Sequence, residues 1–259
     1  MSVARNITSA TLQQLKLLYP SKSNSICAST ILKNPWYIAA SVAFSASNRP
    51  EGVTSVYKFV SDELNRQDAS RGDHLLLLRR LKDAIFKAGL SSGYPKSINS
   101  LIALNEAAPE DLHDTVTLRQ AVSRAPLLVS NTGNHRDTST PIPTLEEDGS
   151  RLFQKIYGET AEPVQKLLDS IYPDLGWFSK TIGYGLVYGH TSVLTPVETS
   201  YVLVASIIAA DTPLQINWHL AGARRQGASL QEVKAIRQIA MESAALAGVS
   251  WRDGVPEVV

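Results

Sequence analysis

Cysteine is almost missing from this 259-residue chain, and Cys27 is the single example. One cysteine cannot close an internal disulfide, form a CxxC redox pair or build a thiolate zinc cage. Excess charge is missing as well: 25 basic and 24 acidic residues leave a formal net charge of +1. No whole-chain field is available to recruit nucleic acid or an anionic membrane, so neither is expected as a partner. No apolar run approaches the roughly 20 residues that a membrane helix needs. Acidic residues are absent before Glu51, while Arg5, Lys16, Lys22, Lys33 and Arg49 occur there among many serines. Such a start fits an organelle transit peptide. With only one Arg in the first stretch, it fits better a first helix, Thr11 to Leu18, whose Leu12, Leu15 and Leu18 dock on a core. The last residues, Pro-Glu-Val-Val, match neither the ER-retention nor the Ser-Lys-Leu peroxisomal signal. With no disulfide to demand an oxidising compartment, the expected location is cytoplasmic, with mitochondria as the alternative from the N-terminus.

What is present is helical punctuation. Thr195-Pro196-Val197-Glu198 reads as a helix cap, a proline at the first helical position and an acid at the third. Thr212-Pro213-Leu214-Gln215 repeats the pattern, and Ser229-Leu230-Gln231-Glu232 repeats it without proline. Each is a capping box, in which the hydroxyl accepts from a free backbone N–H and the Glu or Gln reaches back. Gly227 is placed to stop the second of these helices in a left-handed cap. The spacing predicts helices at about 196–210, 213–226 and 230–247. Ala205, Ile208, Leu220, Ala223, Val233, Ile236 and Ile239 should be buried within them. Upstream, helices are expected from Pro35 to about Ser47, Glu51 to Arg66, Asp73 to Ala88 with a stop at Gly89, and Pro95 to Glu106. Others are expected at about 148–158, 161–171 and 176–188. No segment shows sustained apolar alternation, so no strand is expected. Pro126 to Pro143 lacks periodicity and reads as a linker.

The two halves share an order of elements. Tyr37 to Ser47 parallels Tyr201 to Asp211. Lys82 to Gly89 followed by Pro95 to Ala103 parallels Leu220 to Gly227 followed by Leu230 to Gln238. This suggests an internal duplication. The division is an N-terminal half at 1–125, a linker at 126–147 and a C-terminal half at 148–259. In that alignment Leu81 stands where His219 stands and Asn34 where Glu198 stands, so only the second copy keeps polar chemistry.

The stretch from Trp218-His219-Leu220 through Gly227-Ala228-Ser229 to Glu232-Val233, with Leu194-Thr195-Pro196-Val197-Glu198 before it, resembles the C-terminal signature of the AhpD-like/carboxymuconolactone decarboxylase superfamily. Leu81 to Gly89 with Gly93 to Asn99 is similar to a feature of its decarboxylase branch. The resemblance covers the C-terminal third well and the rest loosely, and the whole looks like long, two-half fungal-type members. It implies an all-α fold and a homo-oligomer, a dimer or higher. The peroxidase branch carries Cys-x-x-Cys-x-x-x-His, and the two cysteine positions fall here on Thr212 and Gln215. Thiol peroxidase chemistry by that route is therefore excluded. What remains resembles the cysteine-free branch, which uses no cofactor.

His219 and Glu198 are the catalytic candidates, with Tyr201, Gln215, Trp218, Gly222 and Tyr188 as candidate pocket residues. The small neighbours of His219, Gly222 and Ala223, can leave room for a substrate or simply allow a close helix crossing. Glu198 can exchange protons if burial raises its pKa, or serve only as the acid of its capping box. The tyrosines and Trp218 can line a pocket or fill the core. His190 reads as a helix-end cap, and Arg224 and Arg225 as a solvated face. His74, His113 and His135 lie apart, and no pair has metal-ligand spacing, so no metal is expected. The expected function is a cofactor-independent decarboxylase, lyase or isomerase type of enzyme acting on a small carboxylated or lactone/enone molecule by His/Glu acid–base chemistry. The alternative is a non-catalytic, oligomeric helical protein that keeps the fold without the redox site. On the first reading, Glu198 and His219 should lie within reach of each other, directly or through one water.

Overall fold

The computed structural model describes residues 7–20, 27–113, 136–137 and 139–259. Among these the chain is all-helical, with no strand. Two helices without a solvated face form its centre. Helix α3 (Trp36–Ala46) carries no charge and is buried along its whole length. Helix α10 (Pro196–Ala209) is buried from Glu198 to Ala209. A helix that is apolar all round is stable only inside other helices, and these two pack on each other. Around them stand α1 (Ser9–Leu18), α4 (Pro50–Asn65), α5 (Arg71–Ser92), α6 (Tyr94–Ala107) and α12 (Leu230–Leu246), with the short α2 (Ala28–Lys33) beside α4 and α5. The seven residues expected to be buried in the C-terminal helices are all buried. The main core draws on both halves of the chain, from Leu12 to Val258.

The first helix is docked as the structural reading of the N-terminus requires. Leu12 and Leu15 are buried and Leu18 is partly buried. Lys16 pairs with Glu63 on α4, and the Tyr19 ring meets the Tyr201 ring edge-on with centroids 6.3 Å apart.

The remaining helices form a second, smaller core: α7 (Ile142–Tyr157), α8 (Ala161–Ile171), α9 (Pro173–Phe178) and a π-helix over Ser179–Tyr188. Helix α11 (Pro213–Arg225) joins it to the centre by packing on both α7 and α10. The π-helix, whose wider turn bonds each residue to the fifth along, takes the place of most of the α-helix expected at 176–188. It crosses α7 with the backbones almost in contact. A Cβ on Gly149 would stand 1.9 Å from the Lys180 carbonyl oxygen, and one on Gly185 would stand 2.2 Å from that of Leu145. Only glycine fits at either place.

Several boundaries differ from the sequence expectation. Helix α7 begins at Ile142 rather than near 148, because Pro143 occupies its first turn, where a missing N–H costs nothing. The proline that read as linker punctuation is thus a helix start. The rest of that linker, 126–135, and His135 lie outside the described residues. Helix α5 does not stop at Gly89 but runs to Ser92, and Gly93, with φ +111°, ends it. Gly227 stops α11 with φ +109°, as expected. The capping boxes of Thr195 and Ser229 form. That of Thr212 does not; its hydroxyl turns back instead and donates to the Ile207 carbonyl at 3.2 Å.

Candidate functional site

His219 projects from α11 into the aromatic core made by α7 and the π-helix. Its side chain is buried, and its ring meets the Tyr157 ring edge-on, with centroids 5.6 Å apart. Tyr184 donates a hydrogen bond to the Tyr157 hydroxyl at 3.1 Å, and that hydroxyl lies 3.4 Å from His219 Nε2. Burial raises the pKa of both tyrosines, so both keep their protons. The Tyr157 hydroxyl, already accepting from Tyr184, has its own proton left for Nε2. With that donation the imidazole proton sits on Nδ1; with the other tautomer Nε2–H donates to the Tyr157 oxygen instead. Burial also lowers the His219 pKa, to about 4, and the ring is neutral at ordinary pH.

Glu198 is equally buried but faces elsewhere. At the start of α10 it turns toward α5, where Arg80 pairs with its Oε1. Its Oε2 accepts from the Thr195 backbone N–H and hydroxyl, each at 3.0 Å. Arg80 Nε in turn donates to the Tyr37 hydroxyl at 2.7 Å. Both carboxylate oxygens are occupied, and no hydrogen bond joins Glu198 to His219. The direct His/Glu contact is therefore not formed. The reason is direction: α11 presents His219 to α7, whereas the first turn of α10 presents Glu198 to α5.

The other candidates separate in the same way. Trp218 joins the His219 cluster, its ring 5.8 Å from that of Tyr157. Tyr188 belongs to the same cluster, 5.4 Å from Tyr184. Tyr201 does not, lying on the far side of α10 near Tyr19, which bonds Glu232 at 3.0 Å. Gln215 is exposed, at the solvent side of α11. Gly222 serves the close crossing with α7, since a Cβ there would come within 2.8 Å of the Ile156 side chain. Arg225 is exposed and donates to the Ile156 carbonyl at 2.8 Å, and Arg224 donates to the Ala228 carbonyl, in the turn after its own helix, at 2.6 Å. Among the described residues no group of His, Cys, Asp and Glu could hold a metal ion.

Sequence reasoning missed a buried charged row on α5. Arg80, Asp83 and Lys87 follow each other at helical spacing along the face turned to α10. Lys87, with no exposed surface, pairs with Asp83 at 3.1 Å and donates to the Thr199 hydroxyl at 2.8 Å and the His190 carbonyl at 2.7 Å. Arg136 closes the row, bonding Asp83 at 2.9 Å and the Val187 carbonyl at 3.0 Å. The Asp83–Lys87 spacing of four was the visible signal, but α5 carries several other charges, and sequence does not say which of them face inward.

In front of Thr199 lies a cavity of about 330 Å³ between α7, the end of the π-helix and the start of α10. Leu152, Ile156, Tyr188 and Pro196 supply apolar wall, and Thr191, Thr199 and Ser200 supply hydroxyls. Asp148, Arg151 and Lys155 stand at its mouth. His219 does not line it; Ile156 and Tyr188 separate the two, belonging to both the cavity wall and the aromatic core.

An all-helical chain with a neutral buried histidine, a locked Arg–Glu pair and an amphipathic cavity is the class that fold and site define. No family model matches the chain, and no solved structure matches it. It is similar to Peroxisomal protein 2 of Saccharomyces cerevisiae, 27% identical over 261 aligned positions that span 86% of this chain and 92% of that protein. It is also similar to Peroxisomal protein 2 of Schizosaccharomyces pombe, 26% identical over 219 positions spanning 85% and 90%.

Proposed function

We propose that this chain is a cofactor-independent enzyme of the carboxymuconolactone-decarboxylase-like type, in which His219 is the acid–base group acting on a small carboxylated or lactone/enone molecule. The observation that carries this reading is the Tyr184–Tyr157–His219 chain of hydroxyls and imidazole, buried beside a cavity of small-molecule size. A neutral buried imidazole is a weak base. Its ring N–H, however, can donate to negative charge developing on a substrate oxygen, and burial strengthens such a bond. Decarboxylation to an enolate and isomerisation through one both develop such a charge. Glu198 takes a positioning role here: with Arg80 it fixes the start of α10, which forms one wall of the cavity.

The second reading, an oligomeric helical protein without catalysis, is favoured by one observation: His219 is enclosed by side chains and does not line the cavity. Either reading includes self-association. Helices α8 and α9 leave Leu167, Ile171, Tyr172, Leu175, Trp177 and Phe178 exposed, a patch of the kind that marks contact surfaces. The names of the two fungal relatives support a peroxisomal location, in place of the cytoplasmic or mitochondrial one that the sequence suggested. No described helix is long and apolar enough to cross a membrane.

The enzyme reading is tested by comparing all small metabolites in cells with and without the gene, then offering the compounds that accumulate to the purified protein. Turnover of one of them is the expected result. No difference in any carboxylated or lactone-type metabolite would favour the second reading.

A further inference from the structure

We infer that the cavity between α7, the end of the π-helix and the start of α10 is a binding site for a small organic carboxylate with an apolar body, held by the hydroxyl of Thr199 in its lining and by Lys155 and Arg151 at its mouth. The argument begins behind the cavity wall. Lys87 is fully buried, and one of its donors is committed to Thr199 Oγ1 at 2.8 Å. An ammonium only donates, so Thr199 must be the acceptor in that bond, and the threonine's own proton is left to donate elsewhere. Thr199 is one of the residues lining the cavity. The ammonium polarises the hydroxyl, which makes it a stronger donor than a free threonine. The neighbouring Ser200 differs, because its hydroxyl already donates to the Pro196 carbonyl at 3.2 Å.

The mouth has the matching charge. Arg151 pairs with Asp148 one turn away, and Lys155 adds a second exposed cation. The balance there is one net positive charge in partial contact with water, suited to drawing in an anion. Leu152, Ile156, Tyr188 and Pro196 supply apolar walls. A bare inorganic anion would leave these walls unfilled, and a neutral apolar molecule would leave the Thr199 donor unmatched. A carboxylate on a compact apolar or unsaturated body satisfies both. The volume, about 330 Å³, lies at the small end of ligand sites. This rests on the proposed function only in calling the bound molecule a substrate, whose reacting end would have to pass Ile156 and Tyr188 to meet His219.

The experiment uses the full chain with 4-fluorobenzoate and its neutral counterpart 4-fluorobenzamide, each followed by fluorine NMR line broadening. The carboxylate should bind saturably, and the amide at least about tenfold more weakly. Thr199→Val should weaken carboxylate binding by at least about tenfold. Lys155→Gln, an exposed change that does not threaten folding, should weaken it severalfold and reduce its salt dependence. His219→Gln should bind 4-fluorobenzoate as the wild type does. Equal binding of acid and amide, no saturable binding, or unchanged affinity in Lys155→Gln would overturn the inference. Binding as described in a protein without turnover would leave this site standing and remove the enzyme reading. Turnover unaffected by Thr199→Val and Lys155→Gln would do the reverse.

Discussion

Within its aromatic surroundings His219 has lost the water that would solvate an imidazolium, and its pKa falls to about 4. This has a consequence for stability. The folded value lies below the ordinary 6.5, so as pH falls the unfolded chain takes up its proton first. The contribution of His219 is complete above about pH 6.5 and is lost progressively down to about pH 4. At pH 5 the loss is about 2 kcal/mol. Urea unfolding at pH 7 and pH 5 should therefore show the wild type losing that much more stability than His219→Gln. Parallel losses in the two proteins would mean that the ring is hydrated. Glu198 gives a second prediction at this scale. Glu198→Gln leaves the Arg80 guanidinium buried without its counter-charge and should cost about 3–5 kcal/mol in the same experiment. Adding Arg80→Met should restore a large part of the loss, because the orphaned charge is then gone. If the double variant is as unstable as the sum of the two singles, the pair is not coupled.

At the scale of elements, the helices that were legible in sequence are those with strong local signals. The boxes at Thr195 and Ser229 and the stop at Gly227 fall as read, and so do the seven buried residues of the last three helices. Three features were not legible, each for a physical reason. Helix α2 is six residues long and docks on α4 and α5 without a distinctive pattern of its own. The π-helix depends on a tertiary contact, the glycine-to-backbone approach between Gly149, Gly185 and the facing carbonyls, which no local pattern records. Glu198 and His219 share a signature motif, yet the motif does not state that their side chains leave α10 and α11 in different directions. The crossing of α7 and the π-helix can be tested directly. Gly185→Ala inserts a methyl group 2.2 Å from the Leu145 carbonyl oxygen and should destabilise the protein by about 3 kcal/mol. Gly183→Ala, where a Cβ would meet only atoms at 3.8 Å and beyond, should cost far less. Equal effects on melting temperature would contradict the close crossing.

At the scale of the whole molecule, the buried Arg80–Glu198 pair and the Lys87 row join the N-terminal segment to the C-terminal one across a shared core. The proposed oligomer adds a further level. Light scattering at micromolar concentration should give at least twice the chain mass of 28.1 kDa, and Trp177→Glu in the exposed patch should lower it. A monomer mass for the unaltered protein would contradict self-association. The assignment of chemistry to His219 is the central claim, and it is reached most directly in cells that lack the gene and carry either the wild type or His219→Gln at equal protein level. The metabolite that accumulates without the gene should fall to normal with the wild type and stay high with His219→Gln. A normal level in the His219→Gln cells, with the variant folded and present, would contradict the claim.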